Sequence, residues 1–253
     1  KNVGLFDLTP FSKFEIKSDK AHKELQKICT ANIKNEVGKC IYTHMLNPDG
    51  GIETDLTVVC IEKDHFRIIS SAATRERDKF HIQKYLAKDI ELKDVTDDFC
   101  VFGVFGPKSR ALMKSISKDD FENDEFRFGT AKYISIEGIK IWTQRLSYVG
   151  ELGFELYVRS KDAKKIYELL IDKGKDFNLS NCGMHAMDIM RMESGFLHWG
   201  HDISPEENQY QAGLSFTISS KKEDEFIGKR ALEKIKKEKI KSRFATFTLK
   251  DSK

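Results

Sequence analysis

The stretch Ile52-Glu-Thr-Asp-Leu-Thr-Val-Val-Cys-Ile61 restricts the fold more than any other. Read as a strand, it places Leu56, Val58 and Cys60 on one face and Asp55, Thr57, Val59 and Ile61 on the other. Both faces turn apolar toward its end, so the strand is covered on both sides and Asp55 stands where burial begins. A carboxylate there is costly unless it is hydrogen-bonded or used. Two readings stay open for it: an acid that ties down the Gly50-Gly51 turn, or a functional group. The preceding Asn47-Pro-Asp-Gly-Gly51 cluster is a tight turn that joins this strand to another near 40–46.

The same periodicities assign further strands at 11–16, 65–71, 89–95, 100–105, 131–136, 139–147 and 153–159. Helices are assigned at 18–29, 74–87, 108–116, 161–173 and 184–194. Hairpin-like strand pairs between helices predict an α+β fold with mixed, mostly antiparallel sheets rather than a doubly wound sheet. Among 253 residues, 40% hydrophobic and 33% charged is a globular composition, which excludes disorder and collagen-like repeats. No apolar run approaches the roughly 18 residues of a membrane span, and the first 20 residues lack a signal-peptide layout. The chain begins at Lys1 and stops just after the strand-like run 244–249, so both ends are expected to be cut. Five widely spaced cysteines without C-x-x-C fit reduced thiols, hence a cytoplasmic location, or the mitochondrial matrix in a eukaryote. Residues 221–243 hold ten Lys/Arg against five Asp/Glu. That excess lies on one late helix, Lys229 to Lys239, and reads as a solvated face; a nucleic-acid footprint would spread over the fold.

Dinucleotide and P-loop motifs are absent. His198-x-x-His201 with Asp202 lacks a second ligand pair, so no metal site is expected. In Arg145-Leu-Ser-Tyr-Val-Gly-Glu-Leu-Gly-Phe-Glu-Leu-Tyr157, Gly150 and Gly153 bracket a tight passage, after which Glu155 and Tyr157 share one strand face. A carboxylate beside an aromatic fits a planar-heterocycle site or an ordinary exposed face, and composition does not decide. The helix Met184-His-Ala-Met-Asp-Ile-Met-Arg-Met-Glu193 carries four methionines, read as core packing rather than a ligand pocket, and an i, i+3 pair of Asp188 with Arg191.

Taken in order, Gly4-Leu-Phe-Asp-Leu-Thr9, Gly50-Gly-Ile-Glu-Thr-Asp-Leu-Thr57, Phe105-Gly-Pro107, the 145–157 segment, Arg191-Met-Glu-Ser-Gly195 and Phe226-Ile-Gly-Lys-Arg-Ala-Leu232 resemble the folate-binding aminomethyltransferase family. That family holds the glycine cleavage T-protein and the folate domains of dimethylglycine and sarcosine dehydrogenases and oxidases. Leu146-Ser-Tyr-Val-Gly-Glu-Leu-Gly, Trp199-Gly and Ala212-Gly-Leu look like the dehydrogenase branch. Met187 stands where T-proteins carry an arginine that contacts folate. The resemblance implies two interleaved α+β domains around a folate channel within residues 1–239, with a C-terminal β-barrel starting in 240–253. FAD would belong only to an upstream domain or subunit.

The resemblance also implies site roles. Asp55 matches the catalytic aspartate; Tyr42 and Thr57 match positions near tetrahydrofolate; Glu155 matches the carboxylate that holds the pterin; and Tyr148 and Tyr157 match aromatic positions beside it. A pterin presents an exocyclic amine and a ring N–H side by side, which a carboxylate accepts as a fork. The implied reaction joins a formaldehyde-level carbon from a small methylated amine to tetrahydrofolate, giving 5,10-methylenetetrahydrofolate. An ionised Asp55 would stabilise the positive charge that develops. A T-protein reaction with a lipoylated carrier and a non-catalytic folate-binding module are the alternatives.

Overall fold

The two-sided apolar pattern of the predicted strands is resolved by two sheets that face each other, each with helices on its outer face. The computed structural model describes residues 2–222, 224–238 and 240–250. The chain runs β1 (Val3–Asp7), β2 (Ser12–Lys17), α1 (Ala21–Ile28), β3 (Cys40–Leu46), β4 (Ile52–Glu62), β5 (His65–Ser70), α2 (Arg75–Tyr85), β6 (Lys93–Asp94), β7 (Phe99–Phe105) and α3 (Ser109–Ile116). It continues with β8 (Ala131–Ile136), β9 (Ile139–Gln144), β10 (Gly153–Arg159), α4 (Ala163–Gly174), β11 (Leu179–Cys182), α5 (Met184–Glu193) and α6 (Lys229–Lys237). The first sheet has the order β11-β1-β7-β10-β9-β8 and the second β3-β4-β5-β2-β6. The α+β expectation therefore holds. β1 pairs in parallel with β11, and the other strand pairs are antiparallel. Strands β2 to β6 are thus a sheet inserted in the chain between two neighbouring strands of the other.

Three apolar clusters follow from side-chain alternation. On the second sheet Leu56, Val58, Phe66 and Ile68 pack outward with Leu25 and Ile28 of α1 and Ile82 of α2. On the first sheet Phe154, Leu156 and Val158 pack outward with Leu112 of α3 and Ile166 and Leu170 of α4. Between the sheets lie Phe6, Val59, Ile61, Phe99, Val101, Phe105, Trp142 and Tyr157. With outer faces dry and helix-covered, the inner layer carries the polar groups: Lys13, Glu15, Arg67, His44 and Gln144 share it and are buried or nearly so.

Several sequence-based expectations are corrected. The strand expected at 89–95 is only Lys93–Asp94, because Ile90 and Leu92 turn into the helix-side core instead of pairing. The strand at 139–147 ends at Gln144, where the chain leaves for the glycine-bearing loop. The run 244–249 forms no strand: Phe247 and Leu249 are exposed, and the segment is held through bonds such as Phe244 N–H to the Gln211 carbonyl. Residues 240–250 thus carry no strand, and 251–253 lie outside the described residues. The basic helix ends at Lys237, and Lys239 lies outside the described residues. It is not wholly solvated, since Leu232 is buried and Ala231 and Ile235 lie against the turn at Gly50. The methionine helix is largely exposed at Met184, Ile189 and Met192, with Met187 its most buried methionine. No described helix is long and apolar enough to cross a membrane.

Arg67 crosses the inner layer. Its guanidinium lies 4.3 Å from the Phe99 ring centroid and donates to Glu15 at 2.6 Å, while His65 Nε2 lies 3.0 Å from the other carboxylate oxygen. Burial alone would raise the Glu15 pKa, but the hydrogen bond with His65 and the charge and hydrogen bonds of Arg67 outweigh it and hold it at about 2. We expect Glu15→Ala, which strands a buried guanidinium, to cost about 3–5 kcal/mol in urea unfolding. The depressed pKa stabilises the fold above the ordinary 4.5, and this contribution is lost as pH falls from there toward 2. Glu15→Gln should flatten that part of the stability-against-pH curve; an unchanged slope would show that Glu15 is not the group responsible.

Candidate functional site

The site is built on the hairpin β3–β4. Its turn is tied by Asn47, whose side-chain oxygen accepts the N–H groups of Asp49 (3.0 Å) and Gly51 (2.9 Å), and Gly50 adopts φ +87°. A Cβ on Gly51 would lie 1.8 Å from the Pro205 carbonyl oxygen, so glycine lets the C-terminal segment close over the turn. Asp55 takes no part in that turn, which removes the structural reading of this acid. The register sets His44 opposite Asp55 and Tyr42 opposite Thr57, so all four side chains point into the inter-sheet layer.

Asp55 is partly exposed, yet protein surrounds it. Burial, joined by the nearby charge of Asp78, pushes its pKa up to about 6, and a hydrogen bond from Tyr42 opposes the rise. The Tyr42 hydroxyl donates to Asp55 Oδ2 at 3.4 Å. Asp78 itself accepts from the Thr74 hydroxyl at 2.7 Å. Tyr148 reaches the same region from the loop before β10 and feels the Asp55 charge. Its hydroxyl donates to the Leu197 carbonyl at 2.7 Å, which leaves the ring as a wall. Gly150, at φ +71°, lets that loop approach Ser194, where a Cβ would lie 2.0 Å from the hydroxyl oxygen.

Glu155 faces the layer from the first sheet. Tyr157 donates to its Oε2 at 3.1 Å, and burial pushes the carboxyl pKa up to about 7 against that bond. Its register partner on β7 is Gly103, where a Cβ would lie 2.7 Å from the Phe105 ring, so glycine there lets that ring pack against the strand. Its partner on β9 is Gln144, fully buried with neither amide nitrogen nor amide oxygen hydrogen-bonded. The indole N–H of Trp142 on the same face is likewise buried without a partner. Across the layer, Glu155 raises the Cys40 thiol pKa after burial, which places it near that end of β3. Val59 is the register partner of Cys40 and lies four residues beyond Asp55 on β4, roughly 13 Å at about 3.3 Å per residue. The arrangement sets one carboxylate toward each end of the layer, with aromatic side chains beside both. Its buried unpaired amide and indole groups can receive the edge of a flat, hydrogen-bonding ligand.

All six residues singled out in the sequence line this layer in two groups. Asp55, Tyr42, Thr57 and Tyr148 lie toward one end, and Glu155 with Tyr157 lies toward the other. Sequence reasoning missed His44, Gln144, Trp142 and Asp78. His44 is two residues from Tyr42 on one strand, a signal that was present; Gln144 is found only through the β9–β10 register. Met187 is buried among Phe6, Phe105 and Val149, with no polar role. Asp202 accepts the His198 backbone N–H at 2.9 Å and pairs with Arg191, so the His198-x-x-His201 element is structural. Among the described residues no three His, Cys, Asp or Glu side chains gather as metal ligands. Two shallow cavities, of about 210 and 330 Å³, lie elsewhere, around Asp7 and Cys182.

The chain is similar to several known proteins. A 4-methylaminobutanoate oxidase (formaldehyde-forming) of Paenarthrobacter nicotinovorans is 38% identical over 236 residues, covering 93% of this chain and 29% of its own length. The mitochondrial dimethylglycine dehydrogenase of Rattus norvegicus is 34% identical, covering 98% of this chain and 29% of its own. An aminomethyltransferase of Alkaliphilus metalliredigens is 30% identical, covering 99% and 68%. The chain thus spans less than a third of the two oxidising relatives. In three dimensions it matches the glycine cleavage system aminomethyltransferase T of Bartonella henselae with a TM-score of 0.81 at 22% identity, over 93% of this chain and 64% of that one. Residues 1–222 match the family described as the GCVT N-terminal domain, and the chain belongs to that family.

Proposed function

We propose that the chain binds tetrahydrofolate in the inter-sheet slot and loads onto it a formaldehyde-level carbon released from a small methylated amine, to give 5,10-methylenetetrahydrofolate. The observation that carries this reading is the pair of partly buried carboxylates near opposite ends of one aromatic-walled slot, each with a raised pKa and a tyrosine donor. A fused pterin has a matching polarity: its pyrimidine edge carries two adjacent donors, and its reactive nitrogens lie on the far side.

Bound there, tetrahydrofolate supplies the two nitrogen nucleophiles that take up the carbon. Glu155 accepts the donor pair of the pyrimidine edge, a charge-assisted fork. Gln144 and the indole of Trp142 offer the unpaired groups that face remaining polar atoms of that edge. Tyr157 keeps Glu155 in place, and Tyr148 and Tyr42 cover the ring faces. Asp55 stands by the reacting nitrogens. Ionised, it stabilises the positive charge on the incoming carbon–nitrogen unit and accepts the proton that the attacking nitrogen loses. Releasing the carbon from an amine requires a two-electron oxidant, which we assign to a flavin domain or subunit outside this chain, in keeping with the oxidising relatives. An aminomethyl carrier protein is the second reading, supported by the kinship with aminomethyltransferases; Met187, in place of the arginine that resemblance would bring, disfavours it. A pure binding module has no use for Asp55.

We expect Asp55→Ala to retain folate binding and lose methylene transfer by at least two orders of magnitude. In the wild type, turnover should fall below about pH 6 as Asp55 takes up a proton. Quenched assays of methylenetetrahydrofolate across pH 5–8 check this, and unaltered turnover of Asp55→Ala would remove it from the mechanism. Folate affinity should weaken as pH falls through about 7, because protonated Glu155 cannot accept both donors. Fluorescence titration should find that dependence gone and affinity lowered in Glu155→Gln; wild-type affinity in that variant would place the pterin elsewhere.

A further inference from the structure

Behind Tyr42 lies a buried polar group the proposed chemistry does not use. His44 is fully buried at the register position opposite Asp55. Burial pushes its pKa down to about 3, so the ring is neutral and only one nitrogen carries a proton. The surroundings determine which. The Thr217 hydroxyl donates to the Leu214 carbonyl at 2.7 Å, so its oxygen is left to accept. It receives the Gln209 amide at 2.6 Å and lies 2.9 Å from His44 Nδ1. The Gln209 amide nitrogen also lies 3.1 Å from His44 Nδ1, but it has only two hydrogens, and the shorter contacts to the Thr217 and Thr30 (3.0 Å) oxygens take them. His44 therefore carries its proton on Nδ1, and Nε2 offers a lone pair to the Tyr42 hydroxyl, 3.3 Å away. The rings meet edge-on, at 71° with centroids 5.2 Å apart, rather than stacked.

The Tyr42 hydroxyl has one proton and two acceptors at nearly equal distance, Asp55 Oδ2 at 3.4 Å and His44 Nε2 at 3.3 Å. We propose that His44 is a positioning residue for Asp55: it gives the Tyr42 hydroxyl a second place to turn, so that one tyrosine serves both protonation states of the carboxylate. With Asp55 ionised, Tyr42 donates to it. With Asp55 protonated, the acid O–H donates to the Tyr42 oxygen, and the phenolic proton rotates to His44 Nε2. No proton passes to the imidazole; the one that Asp55 collects stays on Asp55. Without His44 the phenolic proton would have no acceptor in the protonated state, and that state would be harder to reach. Asp78 on α2 and Tyr148 on the loop before β10 are the other titratable groups that act on Asp55, and neither touches His44. Around the imidazole Thr30, Gln209 and Thr217 are uncharged.

The inference deepens the role proposed for Asp55, but its test needs neither folate nor turnover. In protein labelled with ¹³C at aspartate carboxyls, the Asp55 titration is followed by NMR for wild type, His44→Leu, His44→Gln, Tyr42→Phe and the Tyr42→Phe/His44→Leu double variant. His44→Leu should titrate lower by about half to one pH unit, the worth of one hydrogen bond to the protonated state. His44→Gln, which keeps an acceptor within reach, should restore the wild-type midpoint, and Tyr42→Phe should move it upward. In the Tyr42→Phe background His44→Leu should add nothing. An unmoved midpoint in His44→Leu, or the same shift with Tyr42 absent, overturns the proposal. Should His44→Leu not fold, ¹⁵N spectra of the wild-type imidazole decide. Nε2 should stay unprotonated yet shift in step with Asp55, and a bare Nδ1 or a flat Nε2 signal overturns the proposal. Should Asp55 prove dispensable for methylene transfer, these titrations would stand unaltered, so failure of the catalytic reading and of this one are separable.

Discussion

Burying two carboxylates between two sheets is the constraint on which the rest of the molecule depends. Asp55 and Glu155 enter the same layer from opposite sheets, and burial is the largest cause of the raised pKa of each. Left alone, such groups are costly. The structure limits the cost in small, specific ways. A tyrosine donates to each acid, and the Asn47 turn places the hairpin that carries Asp55. The residual cost is consistent with the proposed ligand site: Gln144 and Trp142 are buried with polar atoms that no protein group pairs.

This burden is tolerable because stability comes from elsewhere. The outer faces of both sheets are sealed by α1 and α2 on one side and by α3 and α4 on the other, and those two clusters are almost wholly apolar. The inner layer is thereby free to mix Val59, Ile61 and Phe105 with charges. The Glu15–Arg67 pair shows how a charge is held there when it is structural: two guanidinium N–H groups donate to one carboxylate oxygen, His65 lies against the other, aromatic rings flank the guanidinium, and the acid is driven to low pKa. Asp55 and Glu155 contrast with it. They lack a cation, their pKa values rise, and their open side faces the slot. That difference in environment separates the structural acid from the two proposed to act on a ligand, in one layer of one fold.

Much of this was legible in the chain. Two-residue alternation in 52–61 grouped Asp55 with Val59 and Ile61, in 153–157 it put Glu155 and Tyr157 on one face without saying whether that face was buried, and family likeness matched residues to roles. Elements with weak periodicity escaped. Strand Leu179–Cys182 is a four-residue edge strand without alternating burial, and Val3–Asp7 was visible only as a motif. The methionine helix misled because methionine serves exposed and buried faces alike. The 244–249 run misled because strand propensity without a pairing edge leaves an extended tail. His44 was within reach of the period-two rule, whereas Gln144 needed the register of β9 against β10, and Asp78 needed the docking of α2 on the sheet. Those are tertiary facts that no local pattern carries.

On the proposed reading, Glu155 gives up its proton to grip the ligand while Asp55 awaits the chemistry at the other end. Calorimetry of tetrahydrofolate binding in buffers of differing ionisation enthalpy measures this most directly. With a Glu155 pKa of about 7, the account predicts release of about half a proton per folate bound at pH 7, rising toward one near pH 6 and disappearing in Glu155→Gln. Binding enthalpies that do not vary with buffer, or proton uptake on binding, would contradict it.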